Sequence, residues 1–202
     1  MGIKTIAITN HNTIDGLFEA RQLCDKCGIQ LVNGVELSCQ IQGESADLDG
    51  TLVHVLGYDI DNDQTLFNSY LDDIERRFGT RHLTHRQGIE LIKKLHGVAV
   101  WAHPFRVYQH DKFTVAELED VVGRFCACGL DGVEVFHPDN LLDRDGVRAL
   151  LEIAKRHNLL VTLGSDSHNL PDKDRFLSLK YEPANFNFDG SKIVLDICSR
   201  KC

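Results

Sequence analysis

No apolar run in this sequence approaches the length of a membrane span, and no charged–apolar–small signal-peptide pattern opens it. Internal repeats, linkers and low-complexity tracts are missing too, so no repeat architecture is expected. Basic residues are in deficit: 22 Lys and Arg stand against 30 Asp and Glu, a net charge of −8. That balance excludes a broad basic nucleic-acid face, whereas its sign suits a site that holds cations. The seven cysteines are odd in number and irregular in spacing. They argue against a secreted disulfide framework and for a reducing cytoplasm. Cys24 and Cys27 form a lone C-x-x-C. It reads as a redox pair, as half a zinc site, or as two thiols on a helix. With no second pair nearby the last reading is preferred, and Cys126 and Cys128 are read the same way.

What remains is an ordinary soluble composition, 43% apolar and 26% charged, in 202 residues. That is enough for one domain with its own core, taken as 1–202 with a short helical insertion at about 63–96. Continuous apolar runs alternate with segments of helical period. Strands are expected at Lys4–Thr9, Gln30–Leu37, Thr51–Tyr58, Val98–Ala102, Gly132–Phe136 and Leu159–Gly164. Helices are expected at Asp15–Cys27, Asp63–Phe78, Thr84–His96, Thr114–Cys128 and Asn140–His157. Gly28 stops the first helix, and Ile14, Leu17, Ala20 and Leu23 form its core side. Thr114 and Glu117 have the spacing of a capping box. Cys39–Gly50 is polar and reads as a hairpin or loop, and Gly79–His82 as a link. Beyond Leu170 a strand near Phe176–Tyr181 and a helix near Ser191–Arg200 are expected. Strands that are apolar throughout, each followed by a helix, indicate an α/β fold with a parallel sheet covered by helices.

Metal-competent residues cluster at the ends of these strands. His11 follows the first, in Thr9-Asn10-His11-Asn12, and Glu36 closes the second, in Gly34-Val35-Glu36. His54 lies within the third. His103 follows Val98–Ala102, His137 follows Gly132–Phe136, and Asp166 and His168 follow Leu159–Gly164. In a barrel of parallel strands the C-terminal ends open on one face, where active sites are built. Imidazole and carboxylate are suitable ligands for zinc, manganese or iron. Glu36 and His54 each interrupt an apolar strand, where an unpaired polar group is costly, and a metal would remove that cost. Taken singly, a buried histidine more often hydrogen-bonds to backbone or carboxylate; the set of six in chain order is what argues for a site. His137 could line a substrate pocket or merely end a strand. Arg106, three residues past His103, could hold a phosphate oxygen through two parallel hydrogen bonds, or form a surface ion pair. His82, His85, His96, His110 and His157 fall in helices or polar loops and are read as solvated.

These motifs, Ala7-Ile8-Thr9-Asn10-His11-Asn12-Thr13, Gly34-Val35-Glu36, His54, Gly97–Pro104 and Gly164–His168, resemble those of the polymerase and histidinol phosphatase (PHP) family. Within it they are nearest to the metal-dependent phosphoesterases acting on nucleotides or short RNA. The resemblance runs from Gly2 to about His168. It implies a distorted TIM-like (β/α)7 barrel with up to three divalent ions, manganese, zinc or iron. Glu36 would bridge two metals, His54 and His103 would complete the second, His11 and His168 would bind the third, and Asp166 the first. Catalysis would then centre on His103, Asp166 and His168, with Arg106 and His137 meeting a phosphorylated small molecule, nucleotide or short oligonucleotide.

The pattern departs from the family in three places. The family's opening His-x-His strand is missing, and the chain starts at what reads as the second strand. Asn10 and Asn12 stand where the family has Asp, and an amide orients an imidazole less strongly than a carboxylate. Asp63–His96 is shorter than the capping subdomain many relatives insert there. A missing first strand would expose the edge of Lys4–Thr9, which implies either a homo-oligomer through that edge or a chain start that omits native residues. Three functions follow in order: a metal-dependent phosphoesterase, a catalytically impaired PHP-like metal-binding or scaffold domain, and a histidinol-phosphatase-like enzyme. An amidohydrolase-like enzyme on a related barrel ranks lower, since no lysine is placed for carbamylation.

Overall fold

The computed structural model describes residues 4–42, 48–106 and 113–168. The expected strand at Phe176–Tyr181, the terminal helix at Ser191–Arg200 and His110 lie outside the described residues. The chain divides into two compact units, Met1–Ala99 and Val100–Cys202. No helix among the described residues is long and apolar enough to cross a membrane.

The first unit is built on three strands, β1 (Thr5–Ile8), β2 (Gln30–Gln40) and β3 (Leu52–Tyr58). β1 and β2 are parallel, joined by helix α1 (Leu17–Lys26). β2 and β3 are antiparallel, with Glu36 opposite Leu56 and Ser38 opposite His54. An all-parallel sheet is thus not what forms. The short 41–51 connection accounts for this, because parallel neighbours need a crossover of a dozen or more residues. The same pairing extends β2 through Cys39 and Gln40, so of the two readings of Cys39–Gly50, hairpin or loop, the antiparallel pairing agrees with the hairpin. A two-residue strand, β4 (Leu83–Thr84), adds to the far end of β2.

Helix α2 (Gln64–Phe78) is capped by the Asp63 side chain and stopped by Gly79 at φ 70°. Helix α3 (His85–Lys94) begins with a full capping box between Thr84 and Gln87. It packs Ile89, Leu91 and Ile92 toward β2 and β3, whose Val35, Leu37 and Val55 are fully buried. His85 is buried here rather than solvated, its Nδ1 accepting from the Gln42 backbone N–H at 3.2 Å. In α1 the buried side chains are Leu17 and Cys24, while Leu23 is 61% exposed. Positions 17 and 24 are two turns apart on one face, so Leu23 falls outside that stripe.

The second unit takes the last two residues of β5 (Val98–Trp101), then β6 (Gly132–Phe136) and β7 (Leu160–Leu163), all parallel. Every residue of β6 is buried, as expected of a strand covered on both faces. Helix α4 (Val115–Ala127) carries the Thr114–Glu117 capping box that its spacing predicts. The helix expected over Asn140–His157 is two elements. A single 3₁₀ turn (Asn140–Leu142) precedes α5 (Arg144–Arg156), which Asp143 caps through the Gly146 N–H. The α-helix starts late because the Asn140 amide is engaged elsewhere, as described below.

Candidate metal centre

In the first unit the chain past β1 continues alongside β2. The Glu36 N–H donates to the Asn10 carbonyl at 3.0 Å, and the Asn12 N–H donates to the Glu36 carbonyl at 2.8 Å. These two bonds bracket His11 and set it opposite Glu36. Asn12 turns at φ 53°, a conformation asparagine tolerates well. Its side chain then accepts from the Ser38 N–H at 2.8 Å and donates to the Ser38 hydroxyl at 3.1 Å. The amide in place of the family's aspartate therefore ties the His11 turn to the end of β2.

The antiparallel register does the rest. Ser38 and His54 face each other, so Glu36, two residues along on the same face, is the diagonal neighbour of His54. His54 Nδ1 lies 2.7 Å from Glu36 Oε1, and His11 Nε2 lies 3.7 Å from Glu36 Oε2. The two imidazoles are edge-to-face, 5.3 Å between ring centres. His54 and Glu36 are buried, and His11 is exposed. One ligand atom from each of the three lies within 4.8 Å of the others. Among the described residues no other group of three or more histidines, cysteines and acids converges in this way. Two imidazoles and a carboxylate with one solvent-facing side form the donor set of a divalent-metal site that keeps positions open. By donor chemistry and burial, the residues fit a metal.

In the second unit a polar cluster gathers at the ends of β5, β6 and β7. His103 and His137 are buried, with ring centres 5.1 Å apart. His137 Nδ1 accepts from the Asp139 N–H at 3.2 Å, so the ring proton sits on Nε2. That Nε2 is buried with no hydrogen-bond partner among the described residues, 3.7 Å from Asp166 Oδ2. Arg106 donates to the same carboxylate oxygen at 2.5 Å and lies 3.8 Å from Asp139. His168 is exposed, its Nδ1 3.0 Å from the Asp166 carbonyl. Arg106 is half-buried and ion-paired with Asp166.

Two residues of this cluster were not singled out from the sequence. Glu134 is buried in the middle of β6, and its carboxylate accepts from the His103 N–H at 3.0 Å. Asn140 is fully buried, donating to the Glu134 and Val135 carbonyls and accepting from the Phe105 N–H. The signal for Glu134 was present, since it interrupts an apolar strand just as Glu36 and His54 do. Asn140 carried no comparable signal.

Comparison with solved structures places this arrangement. A protein assigned as a metal-dependent phosphoesterase from Bifidobacterium adolescentis superposes with a TM-score of 0.63 at 21% identity, covering 88% of this chain and 85% of that one. A two-domain protein from Bacteroides vulgatus, containing a PHP-like metal-dependent phosphoesterase, gives 0.53 at 14% identity over 91% of this chain and 48% of that one. The chain has the PHP-type fold. An amidohydrolase from Chromobacterium violaceum is similar to it as well, with a TM-score of 0.64 and 19% identity over 81% of this chain and 77% of that one. In sequence, the PHP-type chain is 27% identical to a phosphoribosyl 1,2-cyclic phosphate 1,2-diphosphodiesterase of Eggerthella lenta, over 83% of this chain and 84% of that protein. That alignment runs 236 positions, more than the 202 residues present here, so the relative carries segments this chain lacks. An uncharacterised protein of Methanocaldococcus jannaschii is 29% identical over 72% of this chain and 63% of its own length. No family model matches the sequence.

Proposed function

We propose that this protein is a metal-dependent phosphoesterase, cleaving phosphomonoesters of nucleotides or short oligonucleotides in a reducing cytoplasm. The observation that carries the reading is the convergence of His11, Glu36 and His54 in a chain of PHP-type fold. They would hold a divalent cation, manganese, zinc or iron. The family resemblance implies His103, Asp166 and His168 as further ligands, for up to three ions. A bound cation supplies Lewis-acid polarisation of the phosphoryl group and a hydroxide near neutral pH.

The second unit offers the means to bind phosphate. Among the described residues the His137 Nε2 has no hydrogen-bond partner, the Asp166 carboxylate standing off at 3.7 Å, and a buried donor of this kind gains from an oxygen that reaches it. A phosphoryl oxygen is such an acceptor. The Arg106 guanidinium, now on Asp166, can accept a second anion across its fork while keeping one oxygen of the carboxylate. In this reading His137 and Arg106 would orient the phosphate oxygens.

A non-catalytic scaffold is the second reading, favoured by the neutral amides Asn10 and Asn12 on either side of His11. Phosphate release from a panel of mononucleotides, a short oligonucleotide, a cyclic phosphodiester and histidinol phosphate separates the two. Manganese-dependent turnover, abolished by chelator and reduced at least about tenfold in His103→Ala, is expected. Absence of turnover with every metal and every substrate would favour the scaffold.

A further inference from the structure

We propose that Glu134 is the positioning residue that sets both loops of the second unit's polar cluster, the turn bearing His103 and the segment bearing Asp166. His103 sits at φ 27°, in the left-handed region a non-glycine side chain avoids. Something must hold it there. The Glu134 Oε2 accepts from the His103 N–H at 3.0 Å, inside the protein where such a bond is strong. A second buried tie follows two residues on, where the Phe105 N–H meets Asn140 Oδ1 at 3.2 Å. The turn is thus pinned at two points, at His103 from β6 and at Phe105 from the 3₁₀ turn that follows it.

The other carboxylate oxygen defines the second loop. A Cβ placed on Gly164 would lie 1.9 Å from Glu134 Oε1 and 2.9 Å from its Cδ. Only glycine lets the chain after β7 pass this closely, two residues before Asp166. The Gly164 N–H donates to the Phe136 carbonyl at 3.1 Å, which holds that close approach in register with β6. A buried carboxylate is costly to place in an apolar strand, and here it joins the two segments that carry His103 and Asp166. Its role in turnover rests on the phosphoesterase reading; the clamp itself does not.

The test uses the full chain and three variants, Glu134→Gln, Glu134→Ala and Gly164→Ala. Hydrogen exchange of the His103 amide, followed by ¹⁵N NMR without metal, reports the clamp directly. Protection is expected to fall at least about tenfold in Glu134→Ala and to persist in Glu134→Gln, which retains an acceptor. Gly164→Ala, which displaces the carboxylate while leaving it in the chain, is expected to reduce protection in the same way, and it decides the matter if Glu134→Ala does not fold. Unchanged protection in Gly164→Ala or Glu134→Ala overturns the proposal. For phosphate release, kcat should fall about 10- to 100-fold in Glu134→Ala with most of it restored in Glu134→Gln. A purely structural role would lower the melting temperature and leave kcat per folded molecule unchanged. If no protein in the series turns over a phosphoester, the functional reading fails while the amide measurement still decides the clamp.

Discussion

Glu36→Gln is expected to lower metal-dependent phosphate release by ~10³-fold or more, because Lewis-acid and hydroxide chemistry is worth several kcal/mol and each 1.4 kcal/mol is a factor of ten. Glu36 touches both histidines of the candidate centre, at 2.7 Å and 3.7 Å. The amide keeps the shape of the side chain but removes the negative charge that a cation needs. Loss of activity should not come from unfolding. Neutralising a buried carboxylate with an isostere removes a desolvated charge, so the metal-free melting temperature should move by no more than about 4 °C. Metal should then discriminate the two proteins. At a manganese concentration about 100 times the dissociation constant, the unmodified chain gains ~2.7 kcal/mol of stability by mass action, and Glu36→Gln gains little. Equal thermal shifts in the two proteins would place the cation elsewhere.

The largest expected loss of stability is at Phe125. Its ring is fully buried on α4, 5.3 Å from the Trp101 ring, which also meets Phe113 at 5.8 Å edge-to-face. Trp101 is the last residue of β5, two positions before His103. Phe125→Ala removes most of a ring from a packed core and leaves a cavity, at a cost of ~3–5 kcal/mol. Against a total stability of about 5–15 kcal/mol for a domain, that is a large fraction. Urea unfolding should show the midpoint lowered with little change in slope. A loss below about 1 kcal/mol would mean that the aromatic cluster can collapse onto the gap.

Much of this was legible in the sequence, and for identifiable reasons. The strand runs and the Thr114–Glu117 capping box are local, so pattern alone reveals them. His11, Glu36 and His54 could be grouped because each is a metal-competent side chain at or inside an apolar strand. Yet the reason first given, parallel strands all ending on one face, does not hold for His54. β3 runs antiparallel, and His54 reaches Glu36 from near the start of its strand because Ser38 pairs opposite it. A period-2 side-chain pattern fixes the face of a residue but not the direction of its strand. Leu23 is read with Ile14, Leu17 and Ala20 as the core side of α1, but the buried face of the helix carries Cys24 instead. Asn140 looked like the start of a helix; its amide satisfies β6 carbonyls and the Phe105 N–H instead. Such a role depends on a contact 35 residues away in sequence, which no local pattern encodes.

The most direct test of the metal centre is a manganese titration of the chain, with free ion counted by electron paramagnetic resonance. It is run beside Glu36→Gln, His54→Ala and the exposed control His82→Ala. Binding by the unmodified chain and by His82→Ala, weakened at least about tenfold in the other two, is the expected result. Equal affinity in all four proteins, or no binding by the unmodified chain, would contradict the assignment of His11, Glu36 and His54 as a metal site.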